Sequence, residues 1–291
     1  MRLCSFEDAA VTNLEPLSAV RPVFSLLCGT TTLFEKQRRA FQATQVGAFV
    51  RPHLSRVAAE DFPAVTFNDS SWLVEGPAYF VNSRWLPSPA FVPPTLGAKP
   101  FIALVGEEIA YAVLSANLLS ECTPLNVEEC LTSWRKTLPR QQAQGRLVQY
   151  PWDLLRWNRE ELQHDFARLA ELPRTDLHGL SLRGSARLIQ ISPSAVVEPF
   201  VVADTTNGPI IIGENAHLEA FTRLEGPCFI GERTRINSGA NLRGGTSISN
   251  DCRVGGEISA SVVSAGSTKA HGGYLGHSYL GESVILGAGT E

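Results

Sequence analysis

The most regular feature of the chain is an aliphatic residue at every sixth position over residues 212–254. The series consists of Ile212, Leu218, Leu224, Ile230, Ile236, Leu242, Ile248 and Val254. A compact residue follows each of the first seven after four positions: Ala216, Thr222, Cys228, Thr234, Ala240, Thr246 and Cys252. A period of six fits neither an α-helix, with about 3.6 residues per turn, nor an ordinary strand, with about two. It predicts a three-sided column, the prism, with one short strand per six residues, aliphatic side chains inside and compact ones near the corners.

The register of this repeat changes at two places. The first six-residue units begin at about Ile189, and the segment ADTTNGP (203–209) resets the register ahead of the main series. The period fails after Val254 and resumes at Leu280, 26 residues later, which is not a multiple of six. We therefore expect an out-of-register or looped-out segment within 258–279. In a repeat array, such an interruption is where a binding surface is usually built.

The last unit of the repeat, LGAGTE, is followed by no capping helix. The end of such a column exposes apolar surface and unpaired strand edges. We therefore expect either that the chain is a fragment or that a partner covers its last coil.

Before the repeat, helix-like and strand-like segments alternate, which is typical of an α/β domain. Helices are predicted at 33–44 and, with an amphipathic pattern, at 156–172. Residues 78–87 resemble a strand running into a loop, and residues 101–118 resemble two strands, or a strand and a helix, around a turn at Gly106.

The predicted organisation is therefore an α/β domain over 1–175, a linker over 176–188 and the prism over 189–291 with an incomplete last coil. A chain of 291 residues is long enough for two domains. The net charge of −4 excludes a broad basic field for nucleic acid or an anionic membrane. No signal peptide or bilayer-spanning run is present, which predicts a cytoplasmic protein. The six scattered cysteines are expected to be reduced, buried thiols.

Candidate chemistry lies in the interrupted segment, where Lys269, His271, Tyr274 and His277 stand among glycines. Glycines permit tight turns and let a ligand approach the backbone. A histidine can take a proton from an amine or hydroxyl as it attacks a thioester, and a lysine can hold a phosphate. The alternative is a loop that merely connects two coils, with both histidines on its surface.

The string STKAHGGYLGHSYLGESVILGAGT (267–290), preceded by GGEI (255–258), is long and specific. It resembles the acetyltransferase region of the bacterial bifunctional N-acetylglucosamine-1-phosphate uridylyltransferase/glucosamine-1-phosphate acetyltransferase. It is still more similar to a divergent, GlmU-like branch of that family, the sugar nucleotidyltransferases with the same domain arrangement.

This resemblance implies a role for each of four residues. His271 would be the general base that deprotonates the sugar amine, and Tyr274 would contact the sugar phosphate with the help of Lys269. The backbone at Ala288 would contact acetyl-CoA. The chain departs from the family at Ile285, where the family has an asparagine, and it ends before the coil that completes the acetyl-CoA site there.

Three stretches ahead of the prism resemble the same branch: 16–41, containing PLSAVRP and GTTTLFEK, then VNSRWLP (81–87) and PWDLL (151–155). The resemblance implies attack of a sugar-1-phosphate on the α-phosphorus of a nucleoside triphosphate. That reaction needs backbone donors and cations around the phosphates, and carboxylates to hold Mg²⁺.

The glycine-rich GxGTR…PK signature of well-known sugar nucleotidyltransferases does not occur in this chain. The nearest analogue is Gly29 and Thr30, followed by Lys36 and preceded by Arg21. A helix beginning near Leu33 would direct its N-terminal amides at a phosphate. The alternative is a turn, a helix cap and a solvated Lys36.

For Mg²⁺ we nominate Asn82, with Asp8 and Asp153 as remoter candidates. None of the three has a spacing that demands a metal. Asp153, next to Trp152, is equally suited to cap the helix that follows it.

Together these features predict a Rossmann-like α/β nucleotidyltransferase domain followed by an all-β left-handed parallel β-helix. The expected activity converts UTP and N-acetylglucosamine-1-phosphate to UDP-N-acetylglucosamine with Mg²⁺, and the β-helix would add acetyl transfer from acetyl-CoA to an amino-sugar phosphate. The resemblance further implies a homotrimer, with acyl-donor sites between neighbouring prisms.

Two other functions remain open. One is an acyltransferase whose first domain only binds a sugar phosphate. The other is a non-catalytic assembly or regulatory protein that trimerises through the prism. A metal-dependent hydratase is less favoured, because it would need His217, His271 and His277 to converge at a trimer seam.

Overall fold

The structure, a computed structural model, describes residues 1–169 and 180–290. Its contacts divide the chain into two compact units, the first formed by Met1–Leu26 and Thr31–Pro151 and the second by Leu27–Thr30 and Trp152–Glu291. The predicted domain boundary at 175 and the start of the predicted linker lie outside the described residues. No described helix is long and apolar enough to cross a membrane.

The elements up to residue 147 are short strands and helices. The strands are β1 (Arg2–Phe6), β2 (Leu27–Cys28), β3 (Thr31–Thr32), β4 (Gln45–Phe49), β5 (Val65–Phe67), β6 (Ala78–Asn82), β7 (Trp85–Pro87), β8 (Phe101–Val105), β9 (Glu108–Leu114), β10 (Arg140–Gln142) and β11 (Gly145–Leu147). The α-helices are α1 (Leu33–Ala40), α2 (Ser55–Asp61), α3 (Ser70–Leu73), α4 (Ala116–Leu119) and α5 (Val127–Thr137). Short 3₁₀ helices span Ala9–Leu14, Val23–Ser25 and Pro52–Leu54.

The first unit is an α/β domain built on a mixed sheet of seven strands in the order β10-β8-β9-β6-β1-β4-β5. Strand β1 runs parallel to β4 and β6, and β9 runs antiparallel to β6 and β8. Parallel strands are covered on both faces and are therefore almost continuously apolar; all five residues of β6 are buried. The predicted helix at 33–44 and the predicted strands at 78–87 and 101–118 are confirmed, the last pair as two strands around Gly106.

The second unit contains α6 (Pro151–Leu169), a 3₁₀ turn (Ala186–Leu188) and three parallel sheets whose strands alternate along the chain. This is a left-handed parallel β-helix. The first face consists of β12 (Leu180–Arg183), β15 (Val201–Asp204), β18 (Arg223–Glu225), β21 (Asn241–Leu242), β24 (Glu257–Ser259) and β27 (Tyr274–Gly276). The second face consists of β13 (Ile189–Ile191), β16 (Ile210–Ile212), β19 (Cys228–Ile230), β22 (Thr246–Ile248), β25 (Val262–Val263) and β28 (Tyr279–Leu280). The third face consists of β14 (Val196–Val197), β17 (His217–Leu218), β20 (Arg235–Ile236), β23 (Arg253–Val254) and β26 (Thr268–Lys269).

The side chains of the six-residue series fill the prism. All eight aliphatic residues from Ile212 to Val254 are at most 2% exposed, and the seven compact residues are at most 3% exposed. Each buried aliphatic side chain contributes about 1.5–3 kcal/mol relative to an exposed one. The period therefore predicted the interior of this unit correctly. All six cysteines are also buried and free, as expected.

The length of a coil varies where the register was predicted to change. Ile189 pairs with Ile210, 21 residues on, whereas Ile210 pairs with Cys228 after 18. Ser247 pairs with Val262 after only 15. The out-of-register segment is thus confirmed, but it arises from shortened coils, because the parallel strands continue through it and nothing is looped out.

Candidate functional site

Polar residues of the first unit meet at the carboxyl ends of β1 and β6. From β1 the chain proceeds to β4 and β5 on one side and then returns to β6 on the other side of β1. The crevice at such a switch point, outside the carboxyl ends of the strands, is where open α/β sheets bind ligands. Glu7 and Asp8 follow β1 at this point, and Asn82 and Arg84 lie at the end of β6.

Arg84 is fully buried, and each of its five N–H groups has an acceptor. Nε and Nη2 donate to the two carboxylate oxygens of Asp8 at 2.8 and 2.6 Å, and Nη2 also donates to Glu108 at 3.3 Å. Nη1 donates to the carbonyl of Val148 at 2.9 Å and to the side chain of Gln149 at 3.0 Å. Burial alone would lower the pKa of Arg84, but the hydrogen bonds and charges of Asp8 and Glu108 outweigh it and raise the pKa.

Asn82, the predicted metal ligand, is 1% exposed and uses both ends of its amide inside the protein. Nδ2 donates to Asp8 Oδ2 at 2.7 Å and to the carbonyl of Ile109 at 3.1 Å. Oδ1 accepts the backbone N–H of Arg84 at 3.0 Å. Gln37 of α1 fixes the same turn by donating to the Asn82 carbonyl at 2.9 Å. The structure therefore brings two of the nominated metal ligands together, as hydrogen-bond partners of each other.

The carboxyl-edge cluster, defined as Asp8, Asn82, Arg84, Glu108 and Gln149, does not fit a resident Mg²⁺. This ion requires octahedral oxygen ligands and is usually held by one or two carboxylates together with waters and substrate phosphates. In the cluster both oxygens of Asp8 already face the guanidinium, and the oxygen of Asn82 faces an amide. No group of three His, Cys, Asp or Glu among the described residues could hold a metal. The metal role of Asn82 stays a prediction.

A second ion pair fixes the segment that follows β1. Arg51 donates from Nε to Glu7 at 3.0 Å, and from Nη2 to the carbonyls of Ser18 at 2.6 Å and Arg21 at 3.1 Å. Glu7 also accepts the N–H of Val23 at 3.0 Å. The predicted phosphate ligand Arg21 is thereby anchored through its backbone at the carboxyl ends of β1 and β4, with its side chain half-buried.

Gly29 and Thr30, predicted to cradle a phosphate, belong to the second unit. The Gly29 N–H donates to Asn158 Oδ1 at 2.7 Å, and the Thr30 N–H donates to Asp165 at 2.9 Å. The carbonyl of Gly29 accepts Ser247 Oγ at 2.8 Å, and the left-handed φ of +78° explains why glycine stands there. Phosphate binding by these two amides stays a prediction, and it would require the bonds to α6 to be replaced.

At the start of α1, Thr32 and Glu35 form a capping box. The Thr32 N–H donates to Glu35 Oε2 at 2.9 Å, and the Glu35 N–H donates to Thr32 Oγ at 3.2 Å. The carboxylate of Glu35 occupies the position at which a helix N-terminus favours an anion. The predicted helix cap is therefore confirmed. The prediction that Lys36 is solvated is wrong, because that residue is only 4% exposed.

Asp153, the remaining metal candidate, is buried in the first turn of α6. The helix begins at Pro151, five residues earlier than the amphipathic pattern predicts, and proline is favoured at a first helical position. Asp153 therefore lies inside the helix, and the role of N-cap considered for it is wrong.

The second candidate site is a cavity of about 460 Å³ at the end of the prism. It is lined by Lys269, His271, Gly272, Gly273, Tyr274, Leu275, Leu286, Gly287, Gly289 and Thr290. All three residues predicted to be catalytic in the β-helix thus line one cavity. Ala288, predicted to contact acetyl-CoA through its backbone, lies exposed in a turn between two lining glycines.

Lys269 occupies an inward position of the prism, because β26 places it in register with the interior residue Val254. Its ammonium donates to the carbonyls of Gly255 and His271 at 2.9 Å each and of Gly273 at 3.2 Å. Burial lowers the pKa of this lysine. Lys269 therefore holds in place the loop that carries His271, and its predicted contact with a phosphate stays a prediction.

His271 and Tyr274 are both exposed at this cavity, Tyr274 to 64%. The phenol of Tyr274 lies against Gly276, where a side-chain carbon would collide with it. Gly276 therefore provides the space that positions this ring. The arrangement offers a loop imidazole, a phenol and several glycine backbones to a ligand in the cavity.

Comparison with known protein families gives a match. The model of a family described as sugar nucleotidyl transferase matches residues 3–172, which include the whole carboxyl-edge cluster. No curated protein matches the chain. The matched range covers more than half of the 291 residues.

Proposed function

The chain belongs to the sugar nucleotidyl transferase family, and we propose that its first unit transfers a nucleotidyl group to a sugar-1-phosphate at the carboxyl ends of β1 and β6. The observation that carries this proposal is the position of the carboxyl-edge cluster at the switch point of the sheet. We propose UTP and N-acetylglucosamine-1-phosphate as the substrates, on the resemblance of the N-terminal motifs.

In this reaction an oxygen of the sugar phosphate attacks the α-phosphorus, the bond to the β-phosphate breaks and pyrophosphate leaves. Two anionic substrates must therefore meet at an edge that carries Glu7, Asp8 and Glu108. Arg84 and Arg51 neutralise much of this charge through the bonds described above. Because the donor set does not fit a resident ion, Mg²⁺ is proposed to enter as the complex of the triphosphate, as part of the substrate.

Incubation with UTP, Mg²⁺ and N-acetylglucosamine-1-phosphate is expected to release pyrophosphate, measured by a coupled phosphate assay. Replacing Asp8 with Asn should lower kcat/KM by roughly 10²-fold, because Arg84 and Asn82 lose the carboxylate that positions them. Glu75→Gln is the matched control: Glu75 pairs with Arg2 near the amino end of β1 and is 59% exposed.

No pyrophosphate from any pairing of nucleoside triphosphate and sugar phosphate would favour the alternative in which this domain only binds a sugar phosphate. Equal rates for the Asp8 variant and the Glu75 control would place the reaction elsewhere in the chain.

We propose acetyl transfer from acetyl-CoA to an amino-sugar phosphate as a second activity, in the prism cavity of a homotrimer. It is supported by the convergence of Lys269, His271 and Tyr274 on one cavity. Release of coenzyme A thiol with glucosamine-1-phosphate should fall by roughly 10²–10⁴-fold in His271→Ala, because the general base is lost. His277→Asn, altering an exposed histidine that does not line the cavity, should leave the rate unchanged, because asparagine tolerates the left-handed φ of +49° at this position. An unchanged rate in His271→Ala would contradict the role of His271 as general base, and no release of coenzyme A thiol by the wild-type chain would favour the non-catalytic, trimeric assembly protein.

A further inference from the structure

The carboxyl-edge cluster already contains a cation, the guanidinium of Arg84. Resting on the proposed nucleotidyl transfer, we infer that Arg84 is the fixed cation of this site. The free chain then binds no divalent metal there, and a metal reaches the edge only with the triphosphate of the nucleotide.

The donor set of the cluster explains this. A divalent cation needs oxygen atoms with free lone pairs directed at one point. The side-chain oxygens of Asp8 are held at 2.8 and 2.6 Å by Nε and Nη2 of the same guanidinium. Asp8 Oδ2 additionally accepts the amide of Asn82 at 2.7 Å. A planar guanidinium that binds both oxygens of a carboxylate is pre-organised for this geometry, and it cannot be deprotonated to make room for a metal.

The same guanidinium also holds two acids together. Nη2 of Arg84 contacts Asp8 at 2.6 Å and Glu108 at 3.3 Å, which brings the two carboxylates to one donor. Glu108 is at this edge because it begins β9, which runs antiparallel to β6. Without the guanidinium, two like charges would face each other across a small space. The two carboxylates would then offer the hard oxygen ligands that Mg²⁺ and Mn²⁺ prefer, with the rest of the coordination supplied by water.

The inference therefore predicts that removal of the guanidinium creates a metal site. Arg84→Met keeps the apolar bulk of the side chain and removes all five donors. Arg2→Met is the matched control, because Arg2 is on β1 and also binds a carboxylate, that of Glu75 at 2.8 Å. The probe is Mn²⁺ alone, titrated into the nucleotide-free full chain and followed by the electron paramagnetic resonance signal of free Mn²⁺.

The wild-type chain and the Arg2→Met control are expected to bind Mn²⁺ weakly, with a Kd of about 1 mM or higher. Arg84→Met is expected to gain one Mn²⁺ per chain with an affinity roughly tenfold higher or more, since two carboxylates are freed. The gain should disappear in the double variant Arg84→Met/Asp8→Asn. One tightly bound Mn²⁺ per wild-type chain that is lost in Asp8→Asn would overturn the inference, and so would a folded Arg84→Met chain with no gain.

Far-ultraviolet circular dichroism establishes whether Arg84→Met folds. If it does not, Mn²⁺ binding by wild type and by the single variant Asp8→Asn decides alone: weak binding that is equal in both supports the inference, and tight binding lost in Asp8→Asn overturns it. The titration contains no nucleotide, so its result is independent of the pyrophosphate assay. If Arg84→Met gains Mn²⁺ as expected while the wild-type chain releases no pyrophosphate, the inference about Arg84 stands and the proposed nucleotidyl transfer does not.

Discussion

Replacing Arg84 with methionine is expected to lower the free energy of unfolding by about 3–5 kcal/mol. The guanidinium is fully buried, and its loss removes the arginine donors from the carboxylate of Asp8, which is 12% exposed, and from the carbonyl of Val148. A methionine replaces the aliphatic part of the side chain but offers no hydrogen to either acceptor. The cost therefore comes from the uncompensated charge that remains.

Urea unfolding followed by tryptophan fluorescence measures this change. Arg233→Met is the control, because Arg233 also binds a carboxylate with two nitrogens, that of Asp251 at 2.7 and 2.8 Å, but both side chains are about half exposed. That variant should lose no more than about 1 kcal/mol. Addition of Asp8→Asn to Arg84→Met should restore part of the loss, since the unpaired charge is then removed. Equal changes for Arg84→Met and Arg233→Met would show that the buried network contributes no more than a surface pair.

The second large effect is expected in the prism, where Val254→Lys should cost about 3–5 kcal/mol or prevent folding. Val254 is fully buried and lies in register with Lys269 one coil later. A lysine is accommodated at the second position only because three carbonyls surround its ammonium. Val254 belongs to the hydrophobic interior of the prism and lies in register with Ile236 one coil earlier, so a lysine there would bury a charge among aliphatic side chains.

Lys269→Met provides the comparison for this prediction. Methionine replaces the aliphatic part of the lysine and removes its charge, so stability should change by no more than about 1–2 kcal/mol. Thermal unfolding of the two variants and wild type, followed by circular dichroism, measures the difference. The interior assignment would be contradicted by a Val254→Lys chain as stable as wild type.

The prism could be predicted from the sequence because each coil repeats one environment. A position that points inward in one coil points inward in the next, so burial appears as a fixed period from Ile212 to Val254. The same logic marked the change after Val254. It could not tell a shortened coil from a looped-out one, because both displace the period and only the pairing of Ser247 with Val262 distinguishes them.

The carboxyl-edge cluster could be predicted only in part. Asp8, Asn82 and Glu108 are separated along the chain by 74 and 26 residues and meet because β6 returns beside β1. Strand order depends on packing of the whole sheet, and no local spacing encodes it. Arg84 is part of a motif that carries the family resemblance, yet its type and neighbours gave no sign that all its donors would be satisfied internally.

A different limit applies to Gly29 and Thr30. The backbone amides of a glycine and threonines ahead of a helix can donate to a bound phosphate. They can equally donate to an acceptor within the protein. In the structure these acceptors are Asn158 and Asp165, more than a hundred residues later. The sequence singled out these two donors, but it offered no means of identifying their partners.

The most direct measurement of the central claim is the electron density of UDP-N-acetylglucosamine soaked into crystals of the full chain. The account predicts the nucleotide at the carboxyl ends of β1 and β6, next to Asp8 and Asn82, with the cluster around Arg84 intact. Density for the nucleotide at any other place, with this edge empty, would contradict it.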